Sequence, residues 1–225
     1  CGSRVKSAVI PKQFIEIGGV PVIVRTVRAF LAVEEIDMAY VGIKPDWHEY
    51  TDELFERFGI DKERVRVIDG GADRNGTVMN IAEAIVAEHG ENEGDIILTH
   101  DAVRPFVTEK IIKDNIEAMT KHSACGTYMP AADTIIRSDG EKVSETLNRS
   151  ELYQAQTPQT FRLGDLRRNY YSLSKEQNKK LTDTCSVFTA CNEDIYLVVG
   201  DALNFKITTD SDLRMANALA ELSKK

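Results

Sequence analysis

The sequence predicts an α/β fold in which a mostly parallel sheet carries helices on both faces. Short apolar runs alternate with amphipathic segments of helical period, and glycine or polar residues follow several of the runs. Parallel strands need crossover connections, and this alternation supplies helices for them. The chain has 225 residues, of which 42% are hydrophobic and 28% charged, which suits one globular domain. Together with the alternation, this predicts one Rossmann-like domain.

The first half of the chain carries the alternation most clearly. Pro21 suits the first turn of a helix, and Ile23, Val27 and Phe30 behind it share one helical face. Continuous apolar runs, such as the one at 96–98, are typical of buried strands. These patterns predict strands over residues 38–43, 64–68, 96–98 and 125–129, and helices over residues 21–31, 47–58, 78–85 and 111–119.

The alternation breaks between Asp133 and Tyr153. Asp139 and Gly140 form a turn dipeptide between two short extended runs, which predicts a β-hairpin. Because a two-stranded hairpin is marginally stable alone, we expect residues 133–153 to form an arm that packs on another surface, such as a second subunit.

The last third of the chain returns to the alternation. Residues 163–173 and 183–190 have helical spacing, and residues 195–199 form another apolar run. Thr209 and Asp212 have the spacing of a capping box, which predicts that a helix begins there. The apolar face of this helix consists of Leu213, Ala216, Leu219 and Leu222.

Charge and cysteine content argue against several classes of protein. With 28 Lys and Arg against 36 Asp and Glu, the formal net charge of −8 argues against a general nucleic-acid binder. No apolar run reaches about 18 residues, so we expect no membrane-spanning helix. The four cysteines form no Cys-x-x-Cys pair, which favours reduced thiols and a cytoplasmic protein.

A glycine-rich loop follows one of the predicted strands. Sheets of this class bind ligands beyond the carboxyl ends of their strands. Gly70 and Gly71 open a helix there, where backbone N–H groups attract anions or carbonyl oxygens, and Thr77 adds a hydroxyl. The alternative for this loop is a glycine turn with an Asn or Asp cap.

An acidic residue follows the next predicted strand. Asp101 comes just after the buried run at 96–98, where such sheets present metal ligands, and Arg104 three residues later suits a phosphate. The alternative is an Asp–Arg pair on the surface. His100 is interpreted as structural, since no Ser or Cys nucleophile motif accompanies it.

The opening segment is small and basic. Gly2 permits close approach of the backbone to a phosphate, and Arg4 and Lys12 supply cationic donors. Surface loops often carry such residues, and the segment matches neither the dinucleotide-binding nor the P-loop fingerprint. Alone it is a weak indication of an anion site.

Taken in order, these segments resemble those of the cytidylyltransferases that act on sugar-alcohol phosphates. Two members fit: the methylerythritol phosphate enzyme of isoprenoid synthesis and the ribitol 5-phosphate enzyme of teichoic acid synthesis. The resemblance runs along essentially the whole chain. The matching segments are G-S-R, P-K-Q-F, G-G-A-D-R-N-G-T, H-D-A-V-R-P-F, A-D-T, Q-T-P-Q-T-F, T-D-T-C and F-K-I-T.

The resemblance also implies an organisation of the chain. In that family the opening loop reads A-G-G-x-G-S-R-M and follows the first strand, so this sequence would start part-way through the loop, after that strand. It implies a single nucleotidyltransferase domain over residues 1–225, with residues 133–153 as a dimerisation arm.

The resemblance assigns roles to individual residues. The catalytic cations would be Arg4, Lys12 and Lys206. The nucleotide-binding residues would be Gly2, Gly70, Gly71, Arg74 and Thr77. The residues on the substrate side would be Arg104, Asp133, Thr134 and Arg149, with Arg149 delivered by the arm of the other subunit. Asp101 would bind Mg²⁺.

The implied reaction is attack by a phosphate monoester on the α-phosphorus of CTP. Both reactants are anionic, so fixed cations and Mg²⁺ would neutralise their repulsion, and neither a covalent nucleophile nor a general base is needed. Details of the segments D-A-V-R-P-F, G-G-A-D-R-N and Y-Q-A-Q-T-P-Q-T-F look more like the ribitol phosphate branch. We therefore expect ribitol 5-phosphate as the substrate and CDP-ribitol as the product, with methylerythritol phosphate as the alternative.

Two other functional classes fit the sequence less well. A nucleotide-dependent oxidoreductase needs a dinucleotide fingerprint after a strand, and no predicted strand is followed by one. A nucleotide-binding protein that has lost catalysis is disfavoured because Lys12, Asp101, Arg149 and Lys206 are all present. The expected partners are CTP, a polyol phosphate and a second copy of the chain, with no nucleic acid and no membrane.

Overall fold

The computed structural model describes residues 10–222, and within them a sheet is flanked by helices. The strands are β1 Glu16–Ile17, β2 Val20–Pro21, β3 Ala39–Ile43, β4 Val65–Asp69, β5 Ile96–Thr99, β6 Ala124–Pro130, β7 Ile136–Ser138, β8 Val143–Thr146, β9 Tyr153–Arg162 and β10 Tyr196–Val199. The helices are α1 Val22–Leu31, α2 His48–Arg57, α3 Arg74–His89, α4 Glu109–Ala118, α5 Leu163–Ser172, α6 Lys175–Asn178, α7 Cys185–Ala190 and α8 Asp210–Leu222.

The central sheet has four strands in the order β10, β6, β9, β5. β6 and β10 are parallel, whereas β9 runs antiparallel to both of its neighbours. β5, β6 and β10 therefore point the same way, and their carboxyl ends share one edge. β3 and β4 form a separate parallel pair. The predicted α/β class is confirmed, and the sheet is mixed because of β9, which the sequence pattern did not predict.

Helices cover both faces of the central sheet. Phe161 of β9 packs with Leu166 of α5 and Phe188 of α7 in one buried cluster, which α3 also joins. On the other face, Cys125 of β6 packs with Ala118 of α4. Within residues 10–222 no helix combines the length and apolar character needed to cross a membrane.

Local sequence signals set the helix ends. Asp73 caps α3 by accepting a hydrogen bond from the backbone N–H of Gly76 at 2.7 Å. The predicted capping box begins α8: Thr209 N donates to Asp212 Oδ2 at 2.7 Å, and Asp212 N donates to Thr209 Oγ1 at 3.2 Å. Gly59, with φ +64°, lies two residues after the end of α2, where a left-handed glycine commonly ends a helix.

The hairpin expected within residues 133–153 is present. β7 and β8 pair antiparallel with each other, Ile136 opposite Thr146 and Ser138 opposite Val143. Ile136 is 45% exposed and Val143 64% exposed. The hairpin therefore presents apolar side chains to its surroundings.

β9 bulges where it passes the carboxyl end of β5. The register shifts between Gly126 and Tyr128 of β6, so residues 156–158 of β9 lie opposite Thr127 alone. Pro158 sits inside this bulge, where its missing N–H leaves no gap in the ladder. Thr127 Oγ1 donates to Pro158 O at 2.8 Å and closes the bulge.

Candidate active site

Asp101, just after β5, lies at the centre of a cluster of charges. Arg74 Nε is 3.3 Å from its Oδ1, while Arg104 Nε and Lys206 Nζ are 3.2 and 3.1 Å from its Oδ2. The side chain of Asp101 is only 12% exposed, whereas that of Lys206 is 42% exposed. Three cations from separate parts of the chain thus meet at one largely buried carboxylate.

These cations decide the charge of Asp101. Burial raises the pKa of the carboxyl group, but the charges of Lys206, Arg74 and Arg104 outweigh burial and hold the pKa well below its usual range. Asp101 is therefore ionised at neutral pH. One carboxylate compensates only one of three positive charges, so the cluster keeps a net positive charge that suits a polyphosphate.

The loop after β4 has a fixed backbone. Gly71 N donates to Thr77 Oγ1 at 2.9 Å, and the same hydroxyl donates to Asp73 O at 2.9 Å. A Cβ atom on Gly71 would lie 2.4 Å from the carbonyl carbon of Gly76, so only glycine fits there. Thr77 and the glycines therefore determine the conformation of the loop. The Asp cap that the sequence offered as the alternative is also present, since Asp73 caps α3.

Thr157, in the bulge of β9, ties down the loop that carries Asp101. Asp101 N donates to Thr157 Oγ1 at 3.1 Å, and this hydroxyl lies 2.9 Å from His100 Nδ1. His100 Nε2 lies 3.1 Å from Arg104 O, which can only accept, so Nε2 carries the proton and the Thr157 hydroxyl donates to Nδ1. Burial lowers the pKa of His100 to about 4, in agreement with this neutral form. His100 thus has the structural role predicted for it.

Residues 201–208, which we call the bridge segment, bring further cations to the site. Lys206 belongs to the segment, and Ile207 N donates to Val103 O at 2.9 Å. Lys12 Nζ donates to Thr208 O at 2.7 Å. Arg104 Nη1 donates to Asn204 O at 2.8 Å. The segment therefore contacts or supplies three of the site's cations.

Arg74 is anchored on the side away from Asp101. Its Nη1 donates to Thr184 Oγ1 at 2.7 Å, just before α7. Gln159 of β9 accepts from Thr184 N at 3.1 Å and donates to Asp183 Oδ2 at 2.6 Å. The start of α7, β9 and the glycine loop are thereby joined, and Asp183 takes part in this support.

The contacts among residues 10–222 connect some of the predicted site residues and leave others apart. Arg149 Nη1 donates to Ala132 O at 2.9 Å, just before the arm begins. Asp133 and Thr134 are exposed at the base of the arm. Gly2 and Arg4 lie outside the described residues. The predicted residues that the contacts gather around Asp101 or its neighbouring loops are Lys12, Gly70, Gly71, Arg74, Thr77, Arg104 and Lys206.

Sequence reasoning did not assign a role to the buried polar residues that support the cluster. Thr157, Gln159 and Asn204 are 4%, 1% and 0% exposed. Two of them flank Pro158, and a proline in a polar run masks a strand pattern. Asn204 precedes Phe205 and Lys206 in the sequence. Only the burial of its amide indicates its importance, and burial is not visible in the sequence.

A family model described as 2-C-methyl-D-erythritol 4-phosphate cytidylyltransferase matches residues 1–221. The chain belongs to the IspD family. IspD proteins are nucleotidyltransferases that use CTP, so the predicted enzyme class is confirmed. The family is generally dependent on a divalent metal.

Solved structures of IspD proteins are similar to the chain along most of its length. One is the 4-diphosphocytidyl-2C-methyl-D-erythritol synthase of Anaerococcus prevotii, 30% identical, covering 92% of this chain and 88% of its own, with a TM-score of 0.80. The 2-C-methyl-D-erythritol 4-phosphate cytidylyltransferase of Francisella tularensis is 28% identical over 93% of both chains, with a TM-score of 0.80. The corresponding protein of Thermus thermophilus is 27% identical over 94% of both chains, with a TM-score of 0.75.

The comparisons bear differently on the two substrates that the sequence left open. The IspD model and all three structures carry the methylerythritol phosphate activity in their descriptions. The expectation of ribitol 5-phosphate, and with it a role in teichoic acid synthesis, is therefore not supported. The alternative, methylerythritol phosphate, fits these relatives better.

Proposed function

We propose that the chain transfers the cytidylyl group of CTP to 2-C-methyl-D-erythritol 4-phosphate and releases pyrophosphate. The observation that carries the proposal is the convergence of Arg74, Arg104 and Lys206 on Asp101. Such a cluster has the charge to hold a triphosphate and a second phosphate in one cleft.

The chemistry requires a new phosphorus–oxygen bond and the loss of one. An oxygen of the substrate phosphate bonds to the α-phosphorus of CTP, and the bond from that phosphorus to the bridging oxygen breaks. The bridging oxygen keeps the electron pair and leaves with pyrophosphate. Lys12 and Lys206, together with Arg4 of the opening segment, stabilise the negative charge that develops on the phosphates. Since the attacking phosphate is already ionised near neutral pH, no side chain has to remove a proton.

Asp101 is the residue that would hold Mg²⁺. Within residues 10–222 no group of three or more His, Cys, Asp or Glu side chains is placed to bind a metal ion. A single carboxylate still fits Mg²⁺, which is commonly held by one or two carboxylates and the phosphates of the substrate. When bound, the metal supplies neutralisation of the triphosphate charge and helps to align the reacting groups.

The glycine loop is the proposed recognition element for the nucleotide. Gly70 and Gly71 bring backbone close to the ligand, and the fixed turn through Thr77 defines where polar groups meet the cytosine. Arg74 links this loop to Asp101 and so connects base recognition to the phosphate site. Gly2 would approach the phosphates from the opening segment.

The arm is the proposed dimer contact and the source of the remaining substrate ligands. Its exposed apolar residues, Ile136 and Val143, support burial against a second copy of the chain. Asp133, Thr134 and Arg149 would then bind the substrate phosphate in the partner's site, with Arg104 supporting that side from within. Three free thiols, Cys125, Cys185 and Cys191, support the cytoplasmic location that belongs to this proposal.

Pyrophosphate release tests the proposal. The protein would be assayed with CTP and Mg²⁺ against methylerythritol 4-phosphate, ribitol 5-phosphate and glycerol 3-phosphate, with ATP and UTP as nucleotide controls. We expect the highest kcat/KM for CTP with methylerythritol 4-phosphate. A preference for ribitol 5-phosphate would overturn the substrate but not the reaction. Binding of CTP without pyrophosphate release from any substrate would overturn catalysis itself.

A further inference from the structure

The bridge segment determines how three cations of the site lie relative to one another. Lys206 is part of it, Arg104 bonds to Asn204 O, and Lys12 bonds to Thr208 O. Because two of these contacts use backbone carbonyls of the segment, a shift of its backbone would move Lys12, Arg104 and Lys206 together. Whatever holds the bridge segment in place therefore matters to the whole cluster.

Asn204 fixes the bridge segment to the bulge of β9. Its side chain is fully buried, and its Nδ2 donates to Gln156 Oε1 at 3.1 Å and to Thr157 O at 2.8 Å. Both partners are acceptors, so the amide nitrogen must face them. Oδ1 is buried and has no hydrogen-bond partner within residues 10–222. The side chain thus acts as a double donor at this position.

Gln156 of β9 makes the remaining hydrogen bonds between β9 and the bridge segment. Its Nε2 donates to Asp201 O at 2.8 Å, and its Oε1 accepts from Asp201 N at 3.3 Å. A Cβ atom on Gly200 would lie 2.5 Å from Gln156 Oε1, so the chain passes close to this amide. Asn204 and Gln156 together join the bridge segment to β9 through buried hydrogen bonds.

We propose that Asn204 is a positioning residue for the cytidylyl transfer and acts through Lys206 and Arg104. The inference rests on the proposed function and adds to it a residue that touches neither Asp101 nor the reacting groups. Charge stabilisation depends on donors that are already in place when the transition state forms. Loss of the Asn204 amide leaves Thr157 O without this donor and leaves Gln156 Oε1 with only the bond from Asp201 N, so the segment that carries Lys206 is held less firmly.

The first test compares two buried asparagines. Asn204→Ala should lower kcat between about tenfold and a hundredfold, the range for small misplacements of catalytic groups, and change the KM for CTP less than about threefold. Asn115, also 0% exposed and also a double donor through Nδ2, lies on α4 and bonds to Ile111 O and Thr127 Oγ1. Asn115→Ala is the matched control and should lower stability while leaving kcat within about twofold.

A double-mutant cycle asks whether Asn204 acts through Lys206. In a Lys206→Ala background, the further change Asn204→Ala should lower kcat by a smaller factor than it does in the wild-type protein, because one of the two cations that it positions is gone. The effect of Asn115→Ala should be the same in both backgrounds. Effects of Asn204→Ala that multiply in full with those of Lys206→Ala, or a kcat unchanged by Asn204→Ala, would overturn the proposal.

Hydrogen exchange gives a readout that does not depend on activity. The amide of Ile207, bonded to Val103 O, should exchange faster in Asn204→Ala and at the wild-type rate in Asn115→Ala. If the wild-type protein releases no pyrophosphate with any polyol phosphate, the proposed function fails, and exchange alone decides whether Asn204 holds the segment. An unchanged exchange rate of the Ile207 amide in Asn204→Ala would show that Asn204 does not hold the bridge segment. If Asn204→Ala does not fold, Asn204→Ser, which keeps one hydroxyl donor, replaces it in the kinetic and hydrogen-exchange measurements.

Discussion

Asp101 carries one negative charge among three positive ones, and this imbalance is the central chemical feature of the site. Arg104 is nearly buried, its side chain 10% exposed, and shares the Asp101 carboxylate with Arg74 and Lys206. A buried guanidinium that loses its carboxylate is strongly destabilising. Asp101 is therefore the partner of these cations, and it is also the residue that we propose as the metal ligand, so loss of its charge should affect both properties.

Asp101→Asn should weaken the binding of Mg²⁺. The amide keeps the shape of the side chain but lacks the charge, so we expect the Mg²⁺ concentration for half-maximal activity to rise at least about tenfold, the scale of changes around metal ligands. A metal titration at saturating CTP measures it, with thermal unfolding recorded in parallel. Asp114→Asn, which removes a carboxylate paired with Lys110 on α4, is the control. An unchanged midpoint in Asp101→Asn would contradict the metal assignment.

The thiols differ in reactivity because they differ in burial. Burial raises the pKa of Cys185 to about 12 and that of Cys125 to about 11, so both stay protonated in the native protein. Cys191 is partly exposed. At about pH 8 we expect iodoacetamide to alkylate Cys191 at least about tenfold faster than either buried thiol, as measured by peptide mass spectrometry. In urea all three should react alike; native labelling of Cys185 at the rate of Cys191 would contradict its burial.

The sequence identified the charged residues of the site better than their supports. Asp101, Arg104 and Lys206 stand in recognisable segments, and charged side chains in loops after strands carry a direct chemical meaning. Thr157 and Asn204 are polar, uncharged and buried, and their importance comes from contacts between segments far apart in the sequence. No local pattern encodes such contacts.

At the scale of secondary-structure elements, the turn from β4 into α3 is the tightest feature near the site. Gly71 allows the backbone to pass against Gly76 while Thr77 bonds back to it. Gly42 of β3 also lies under this turn, since a Cβ atom there would approach Thr77 Cγ2 to 2.2 Å. The loop is therefore packed on both sides and cannot shift locally to admit a larger residue.

Gly71→Ala should disrupt nucleotide binding. The added methyl group would overlap the backbone at residues 76–77, at distances of 2.4–2.8 Å, so the loop must move. We expect a loss of about 1–3 kcal/mol in the free energy of unfolding and at least a tenfold rise in the KM for CTP. Denaturant unfolding and initial-rate kinetics measure the two effects. Gly94→Ala, where a Cβ atom would meet nothing within 4 Å, is the control and should change neither.

Most helices and strands follow from apolar periodicity, but β9 does not. The runs that became β3, β5 and β10 are mainly apolar, whereas β4 also contains Arg66 and Asp69, and β6 contains Gly126 and Thr127. β9 contains a proline and several polar residues, and one of them, Thr157, faces the site from the bulge. Neither a continuous apolar run nor a strict alternation of apolar and polar residues therefore marks this strand in the sequence. The short helix α6 lacks an apolar face and is set by its Ser174–Gln177 capping box.

At the scale of the whole molecule, the contacts of a single chain do not explain why the arm exposes apolar side chains. Neither strand of the hairpin pairs with the central sheet, and Ile136 and Val143 remain exposed. Arg149, predicted to bind the substrate phosphate, donates instead to Ala132 O at the base of the arm of its own chain. A second copy of the chain would both cover the apolar residues and bring Arg149 to a site.

Mixing two inactive variants tests whether sites are shared between subunits. Lys12→Ala removes a cation from the chain's own candidate site, and Arg149→Ala removes the proposed contribution of the arm to the partner's site. In a mixed dimer one site has both defects and the other has none, so random mixing should restore roughly a quarter of wild-type activity. Pyrophosphate release after co-refolding equal amounts measures it, with each variant refolded alone as the control. If Arg149 served its own chain, both sites of the mixed dimer would be defective, and verified mixing without recovered activity would show that the arm does not complete its partner's site.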